Sequence, residues 1–132
     1  MKQIDKIALI VIENGKILST RSVGKKKYYI PGGKREGNET DQETLIREIK
    51  EELSVAILSE TISYVGTFIA QSDGAAEGIN VKMTCYKAEY LGTLQKNSEI
   101  EEIRWLTYKD VEIISEVDKI IFDFLKKNEE LY

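Results

Sequence analysis

The stretch from Gly33 to Val55 constrains this 132-residue chain more than any other feature. Its second half holds Glu48, Glu51 and Glu52, which a helix places on one face because they stand at i, i+3 and i+4. Like charges at this spacing repel by about 0.2–0.5 kcal/mol per pair, so the cluster favours a hard divalent cation as its partner. A solvated acidic face on a surface helix has the same pattern, and the bare spacing does not separate the two interpretations.

The helix that would carry these carboxylates has clear sequence signals. Thr40 and Glu43 form a capping box, which predicts that the helix begins there and runs to about Leu53. Apolar residues spaced by four, among them Leu45 and Ile49, form the stripe that packs the helix on a core. The carboxylates lie in its last turns, where the helix dipole does not favour added negative charge. A cation is again the expected partner.

The same stretch resembles the signature of the Nudix (MutT-type) pyrophosphohydrolases, G-x5-E-x7-R-E-U-x-E-E-x-G-U, in which U is aliphatic. The matching residues are Gly33, Glu39, Arg47, Glu48, Ile49, Glu51, Glu52 and Val55. One position departs, because Ser54 stands where the family has glycine. That glycine ends the helix in the left-handed conformation, which costs a non-glycine residue roughly 1–2 kcal/mol. We expect Ser54 to occupy this terminating position without the conformational freedom of glycine.

Length and composition limit the possible functions. The chain is predicted to form a single domain, residues 1–132, and its net charge of −4 argues against a nucleic-acid-binding surface. It has no histidine and one cysteine, Cys85, which excludes a histidine-based catalytic triad, a structural zinc site and an intrachain disulfide. No signal peptide and no apolar run of membrane-spanning length is evident, so we expect a cytoplasmic protein without a membrane partner.

The remaining sequence predicts an α/β protein. The apolar run 7–12, the turn Asn14-Gly15 and the run 16–21 form a hairpin pattern. Further strands are predicted over 28–30, 56–70, 79–90 and 103–106, with a polar loop over 71–78. Apolar residues from Val117 to Leu125 predict an amphipathic C-terminal helix followed by a frayed tail. Two helices on a mixed sheet indicate an α/β/α sandwich, the fold that the Nudix resemblance also implies.

The resemblance implies a metal-dependent site that cleaves nucleoside diphosphates linked to another group. Mg²⁺ or Mn²⁺ would bridge phosphate oxygens and lower the pKa of a bound water. The implied ligands are Glu48, Glu52 and Glu51, with the backbone carbonyl of Gly32 delivered by the turn it forms with Gly33. Arg47 stays protonated and is expected to orient a carboxylate, together with Glu39, through bidentate hydrogen bonds.

Residues outside the signature are expected to complete the site. Glu99 lies six residues before Trp105, where relatives carry a loop acid, and is our candidate for a further ligand or the general base. Glu101 is a close sequence neighbour that we expect to point elsewhere. Arg21 and Lys34 match positions at which relatives contact phosphate.

The substrate is the least constrained part of the interpretation. The proline of ADP-ribose hydrolases, the motif of NADH-type members and the base-reading asparagine of the MutT prototype are all absent, which favours a nucleoside triphosphate or a related nucleoside diphosphate derivative. An ADP-sugar or nucleotide-sugar pyrophosphatase is the alternative among enzymes. A catalytically silent nucleotide-binding regulator and a generic interaction domain are the alternatives outside them. Pairing into a homodimer is left open.

Overall fold

A computed structural model describes residues 2–72 and 78–132 of the chain. Within these ranges the strands are β1 (Lys2–Leu9), β2 (Ile12–Glu13), β3 (Lys16–Ser22), β4 (Gly32–Lys34), β5 (Ala56–Ile57), β6 (Ser63–Gln71), β7 (Ile79–Lys87), β8 (Tyr90–Leu91) and β9 (Ile100–Leu106). The α-helices are α1 (Asp41–Leu53) and α2 (Glu116–Lys127), and 3₁₀ helices cover Ser59–Thr61 and Tyr108–Ile113. None of these helices is long and apolar enough to cross a membrane.

The main sheet is mixed and has the strand order β4-β1-β7-β6. Strand β1 runs parallel to β7 and antiparallel to β4, and β6 runs antiparallel to β7. A second sheet has the order β2-β3-β9, and β5 pairs with β8. The three-residue strand β4 therefore forms one edge of the main sheet, next to the C-terminal half of α1.

The two helices pack on opposite faces of the main sheet. Ile7 and Leu9 of β1 belong to one buried cluster, which also contains the apolar stripe of α1. Ala8 and Ile10 belong to the other cluster, which contains the apolar face of α2. Alternate residues of a strand point to opposite faces, so one strand supplies both cores. The predicted α/β/α sandwich is confirmed.

Three local predictions are also confirmed. Asn14 and Gly15 have φ of 54° and 74° in the tight turn between β2 and β3. At the start of α1, the Thr40 side chain accepts from the Glu43 amide, and the Glu43 side chain accepts from the Thr40 amide. Ser54 ends α1 in the left-handed conformation, with φ of 61°, and its amide donates to the Lys50 carbonyl. Ser54 thus takes the glycine position with the expected backbone strain.

Segment 28–30 does not form the predicted strand. Tyr28 and Tyr29 make only isolated bridges, to Ile114 and Thr20 respectively, because their backbone groups are divided between two neighbouring segments. The Ile30 amide instead donates to the carboxylate of Asp118, a fully buried residue in the first turn of α2, at 2.8 Å. This bond holds the segment that leads into strand β4 against helix α2.

Two other predictions need correction. Segment 79–90 forms two strands, β7 and β8, rather than one. The C-terminal tail is not frayed, because Leu131 is 2% exposed and the Tyr132 amide donates to the Gly15 carbonyl at 2.9 Å. Burial of Leu131 and this bond to the hairpin outweigh the polar composition of the tail. Of the predicted loop 71–78, residues 73–77 lie outside the described part of the chain.

Candidate active site

The two glycines of β4 allow the carboxylates of α1 to lie directly on the edge of the main sheet. A Cβ atom at Gly33 would come within 2.3 Å of the Glu48 carboxylate, so that carboxylate occupies the space where a side chain would be. A Cβ at Gly32 would come within 2.0 Å of the Ile7 carbonyl oxygen, and Gly32 has φ of 150°. The Gly32 amide donates to Glu52 Oε1 at 3.3 Å. The backbone therefore requires glycine at position 32, whereas glycine at position 33 leaves the space that the Glu48 carboxylate occupies.

Gly32 and Gly33 lie in strand β4 rather than in the expected turn, and Arg47 links this strand to helix α1. Its Nε and Nη2 donate to the two oxygens of Glu39 at 2.7 and 2.9 Å, which is the expected bidentate contact. Its Nη1 donates to Glu48 Oε1 at 2.8 Å, and its Nη2 also donates to the Lys34 carbonyl at 3.0 Å. The hydrogen bonds from Arg47 and from the Glu36 amide lower the pKa of Glu39 to about 2. A permanently charged guanidinium thus fixes the orientation of the Glu48 carboxylate.

Glu48 and Glu52 are held in an environment that disfavours their charged forms. Burial raises the pKa of Glu48, and the hydrogen bond from Arg47 opposes this effect. Burial raises the pKa of Glu52 to about 8. The hydrogen bond from the Gly32 amide opposes this rise, and the negative charges of Glu48 and Glu99 contribute to it. Within the described ranges Glu52 forms no ion pair with a lysine or arginine. A cation between these acids would remove the repulsion.

The loop before β9 brings Glu99 to the same place. The Gln95 amide donates to the Leu53 carbonyl and the Asn97 amide to the Glu52 carbonyl, both at 3.0 Å. Carbonyls in the last turn of a helix have no partner within the helix, so the loop satisfies them. Glu99 then lines the same cavity as Glu48 and Glu52. The sequence suggested the acid but gave no sign of the backbone contacts that deliver it.

Other predicted site residues lie farther from the cavity. Glu51 is exposed, is absent from the cavity lining, and has its carboxylate 3.6 Å from Arg47 Nη1. Arg21 also lies outside the lining, although its strand neighbours Thr20 and Ser22 are part of it. Its guanidinium donates to Glu101 at 3.0 Å and to the Lys25 carbonyl at 3.1 Å. The structure therefore places Arg21 on the other side of β3.

The cavity has a volume of about 660 Å³, within the range of small-molecule sites. Its walls combine the acids with four basic residues and several apolar ones. The basic residues are Lys6, Lys25, Lys34 and Arg35, and the apolar ones include Ile4, Val81 and Met83. Sequence reasoning identified Lys34 as a site residue but missed Lys6, Lys25 and Arg35. The local sequence gave no signal for Lys6, because Lys2, Gln3 and Asp5 of the same strand are polar as well, and it did not show which strand would lie opposite.

The acids fit a divalent cation in composition, although their side chains do not converge on one point. Across residues 2–72 and 78–132, no three acidic, histidine or cysteine side chains form a ready metal-binding group. One oxygen of Glu48 accepts from Arg47, and one oxygen of Glu52 accepts from Gly32. Each carboxylate keeps a second oxygen, and Glu99 is exposed on its loop. Carboxylate oxygens are the ligands that Mg²⁺ and Mn²⁺ prefer.

Comparisons with known proteins match most of the chain. A family model described as NUDIX domain matches residues 3–126. A Bacillus subtilis protein, the uncharacterized Nudix hydrolase YvcI, is 26% identical over 118 residues, which cover 88% of this chain and 75% of that protein. The solution structure of the E. coli ORF135 protein superposes with a TM-score of 0.73 at 24% identity, covering 96% of this chain and 92% of that one. A MutT Nudix hydrolase from Burkholderia pseudomallei gives 0.76 at 20% identity, covering 93% and 98%.

Proposed function

The chain belongs to the Nudix hydrolase family, and from that premise we propose that it cleaves a pyrophosphate bond in a nucleoside triphosphate or a related nucleoside diphosphate derivative. The family generally uses divalent metal ions, and we propose Mg²⁺ or Mn²⁺ here. The observation that carries the proposal is that Glu48, Glu52 and Glu99 all line one cavity that is also lined by basic side chains. Acids of this kind suit a cation, and the basic residues suit phosphate.

We propose the following roles for the residues of the site. Glu48 and Glu52 hold the cation, and Glu51 and the Gly32 carbonyl are candidate additional ligands. When bound, the cation supplies positive charge that neutralises phosphate oxygens and lowers the pKa of water. The acceptor for the proton of the attacking water is a carboxylate of the site that does not ligate the cation, and Glu99 is the candidate either for that role or for a further ligand.

The remaining residues position the reacting groups. Arg47 holds Glu48 in place, with Glu39 as the counter-charge that fixes the guanidinium. Lys34 contacts substrate phosphate from the cavity wall. Arg21 acts at one remove, because it binds the carbonyl of Lys25, a residue that lines the cavity. A cytoplasmic location and formation of a homodimer stay predictions.

The direct test is a hydrolysis screen with Mg²⁺ and Mn²⁺. The panel contains nucleoside triphosphates, ADP-ribose, nucleotide sugars and dinucleoside polyphosphates, each assayed with and without excess chelator. We expect turnover of a nucleoside triphosphate that disappears with the chelator. Turnover that survives the chelator would contradict the metal-dependent mechanism, and nucleotide binding without turnover of any substrate would indicate a regulator.

Substitution of the partly buried acids of α1 should separate chemistry from folding. We expect Glu48→Gln and Glu52→Gln each to lower kcat by about 10²-fold or more, the scale of losing a preorganised electrostatic element. Folding stability should stay equal or rise, because each change relieves repulsion between acids. Steady-state kinetics and thermal unfolding of both variants measure the two effects. Turnover near the wild-type value in either variant would remove that residue from the mechanism.

A further inference from the structure

Lys6 is a charged residue inside the cavity that the signature does not include. It lies in β1 directly opposite Lys34 of β4, in an antiparallel pair. Directly opposite residues of such a pair share one face of the sheet, with Cβ atoms about 4.5–5.5 Å apart. Both side chains line the cavity. The sheet thus places two lysine side chains next to each other on the cavity wall.

Like charges directly opposite each other destabilise a sheet, so this pair needs an explanation. Across residues 2–72 and 78–132, neither Lys6 nor Lys34 forms an ion pair. The Lys6 ammonium lies 5.5 Å from the centroid of the Tyr29 ring, a contact that orients the group without neutralising it. Lys6 is partly buried, so its charge is less screened by water than that of an exposed lysine. The pair favours a bound anion.

The position of the pair relative to the acids indicates which anion. The acids Glu48, Glu52 and Glu99 line the same cavity as the two lysines. A polyphosphate chain whose scissile bond lies at the acids therefore extends onto the lysines. The terminal phosphate of a nucleoside triphosphate carries close to two negative charges at pH 7, about −1.5 to −2 for a phosphomonoester. In a nucleotide sugar the equivalent position holds a neutral group.

We propose that Lys6, paired with Lys34, binds the terminal phosphate of the substrate and so selects nucleoside triphosphates over nucleoside diphosphates esterified to a neutral group. The proposal rests on the pyrophosphohydrolase function proposed above and adds a specificity-determining residue to it. Lys34 alone would supply one charge to this phosphate. The second charge matches the second negative charge of a terminal phosphate.

The kinetic test compares Lys6→Met with the wild type on two substrate classes. Methionine keeps the length and apolar stem of lysine while removing its charge. We expect kcat/KM for a nucleoside triphosphate to fall by about tenfold or more, the scale of losing one charge-assisted hydrogen bond, while kcat/KM for a nucleotide sugar stays within about twofold. Lys6→Arg should restore most of the triphosphate activity. An equal loss on both substrates, or no loss on either, would overturn the proposal.

The matched control is Lys16→Met, which removes an exposed lysine from β3 outside the cavity. We expect this variant to behave as the wild type on both substrates. A loss of triphosphate selectivity equal to that of Lys6→Met would show that only net charge matters, and it would overturn the proposal. Thermal unfolding of both variants verifies folding, and Lys6→Gln replaces Lys6→Met if the latter does not fold.

A binding measurement tests Lys6 independently of turnover. Inorganic tripolyphosphate, titrated calorimetrically into metal-free protein at low salt, is the probe. We expect Lys6→Met to weaken its binding by about tenfold and Lys16→Met to leave it unchanged. Equal binding by wild type and Lys6→Met would overturn the proposal. If the wild type binds tripolyphosphate through Lys6 but hydrolyses no nucleotide, the proposed function fails while the phosphate site stands.

Discussion

Ser54 stands where the family signature has glycine, and this difference should have a measurable effect on the stability of the protein. Its φ of 61° puts a side chain in a conformation that glycine adopts without strain. We expect Ser54→Gly to raise the free energy of unfolding by about 1 kcal/mol, less the entropy that glycine adds to the unfolded chain. Chemical denaturation at equilibrium measures the change.

Asn14 provides the control for this prediction. It also has a positive φ, 54°, but asparagine tolerates the left-handed conformation better than serine does. Asn14→Gly should therefore stabilise the protein less than Ser54→Gly. A gain at Asn14 equal to or larger than that at Ser54 would show that backbone strain at Ser54 is not the cause.

Glu99 and Glu101 are close in sequence, but the structure places them in different surroundings. Glu99 lines the cavity with the acids of α1, whereas Glu101 accepts a hydrogen bond from Arg21 on the other side of β3. Glu99→Gln preserves the shape of the side chain and removes its charge, so we expect kcat to fall by about 10²-fold with folding intact. Glu101→Gln should be nearly silent in the same assay. Sensitivity at Glu101 in place of Glu99 would contradict this assignment.

Strand β4 and helix α1 depend on each other, because the Glu48 carboxylate of α1 occupies the space beside Gly33 of β4. A methyl group at Gly33 would collide with the end of the Glu48 side chain, which is able to move, whereas one at Gly32 would collide with the backbone of β1. We expect Gly33→Ala to fold with a loss of about 1 kcal/mol but to lose activity as Glu48→Gln does, because the carboxylate is displaced. Gly32→Ala should unfold the protein or destabilise it far more.

A double variant tests whether Gly33 acts through Glu48. In the Glu48→Gln background, adding Gly33→Ala should lower kcat little further, since the carboxylate that glycine accommodates is already gone. Steady-state kinetics of the two single variants and the double variant measure the coupling. Fully additive losses would mean that Gly33 serves the reaction in another way.

Elements with local signals could be predicted from the sequence, and elements set by distant contacts could not. The capping box at Thr40 and the turn at Asn14-Gly15 each specify their own backbone, so both were predicted correctly. Tyr28 lacks a continuous pairing partner because its hydrogen bonds go to residues 113 and 115, which only the folded chain brings near. Leu131 is buried for the same kind of reason, against a core assembled from the whole chain.

The candidate site divides along the same line. Glu48 and Glu52 stand at i and i+4 of one helix, so their spacing alone predicted their proximity, whereas the role of Arg47 came from the resemblance to the family signature. The side of β3 on which Arg21 lies depends on the register of that strand, and the pairing of Lys6 with Lys34 depends on the register between β1 and β4. Neither register could be predicted from the local sequence. The charge of each residue was evident, but its place in the site was not.

At the scale of the whole molecule, the site joins parts of the chain that are far apart in sequence. One cavity wall is formed by strands β1 and β4, the C-terminal half of α1 and the loop before β9. The unfolded chain holds these acids apart, so a cation that bridges them binds the folded state alone. Such a cation stabilises the fold by mass action, by about 2.7 kcal/mol when its concentration is a hundred times its dissociation constant.

We therefore expect Mg²⁺ or Mn²⁺ to raise the unfolding temperature of the metal-free protein, and we expect a chelator to reverse this rise. Calorimetry measures both changes. Glu52→Gln should lose most of this response, because it removes the most buried acid of the site, and its metal-free form should be at least as stable as the wild type. Glu101→Gln, which leaves the cavity intact, should keep the full response. A rise in Glu52→Gln as large as that in the wild type would place the stabilising cation elsewhere on the molecule.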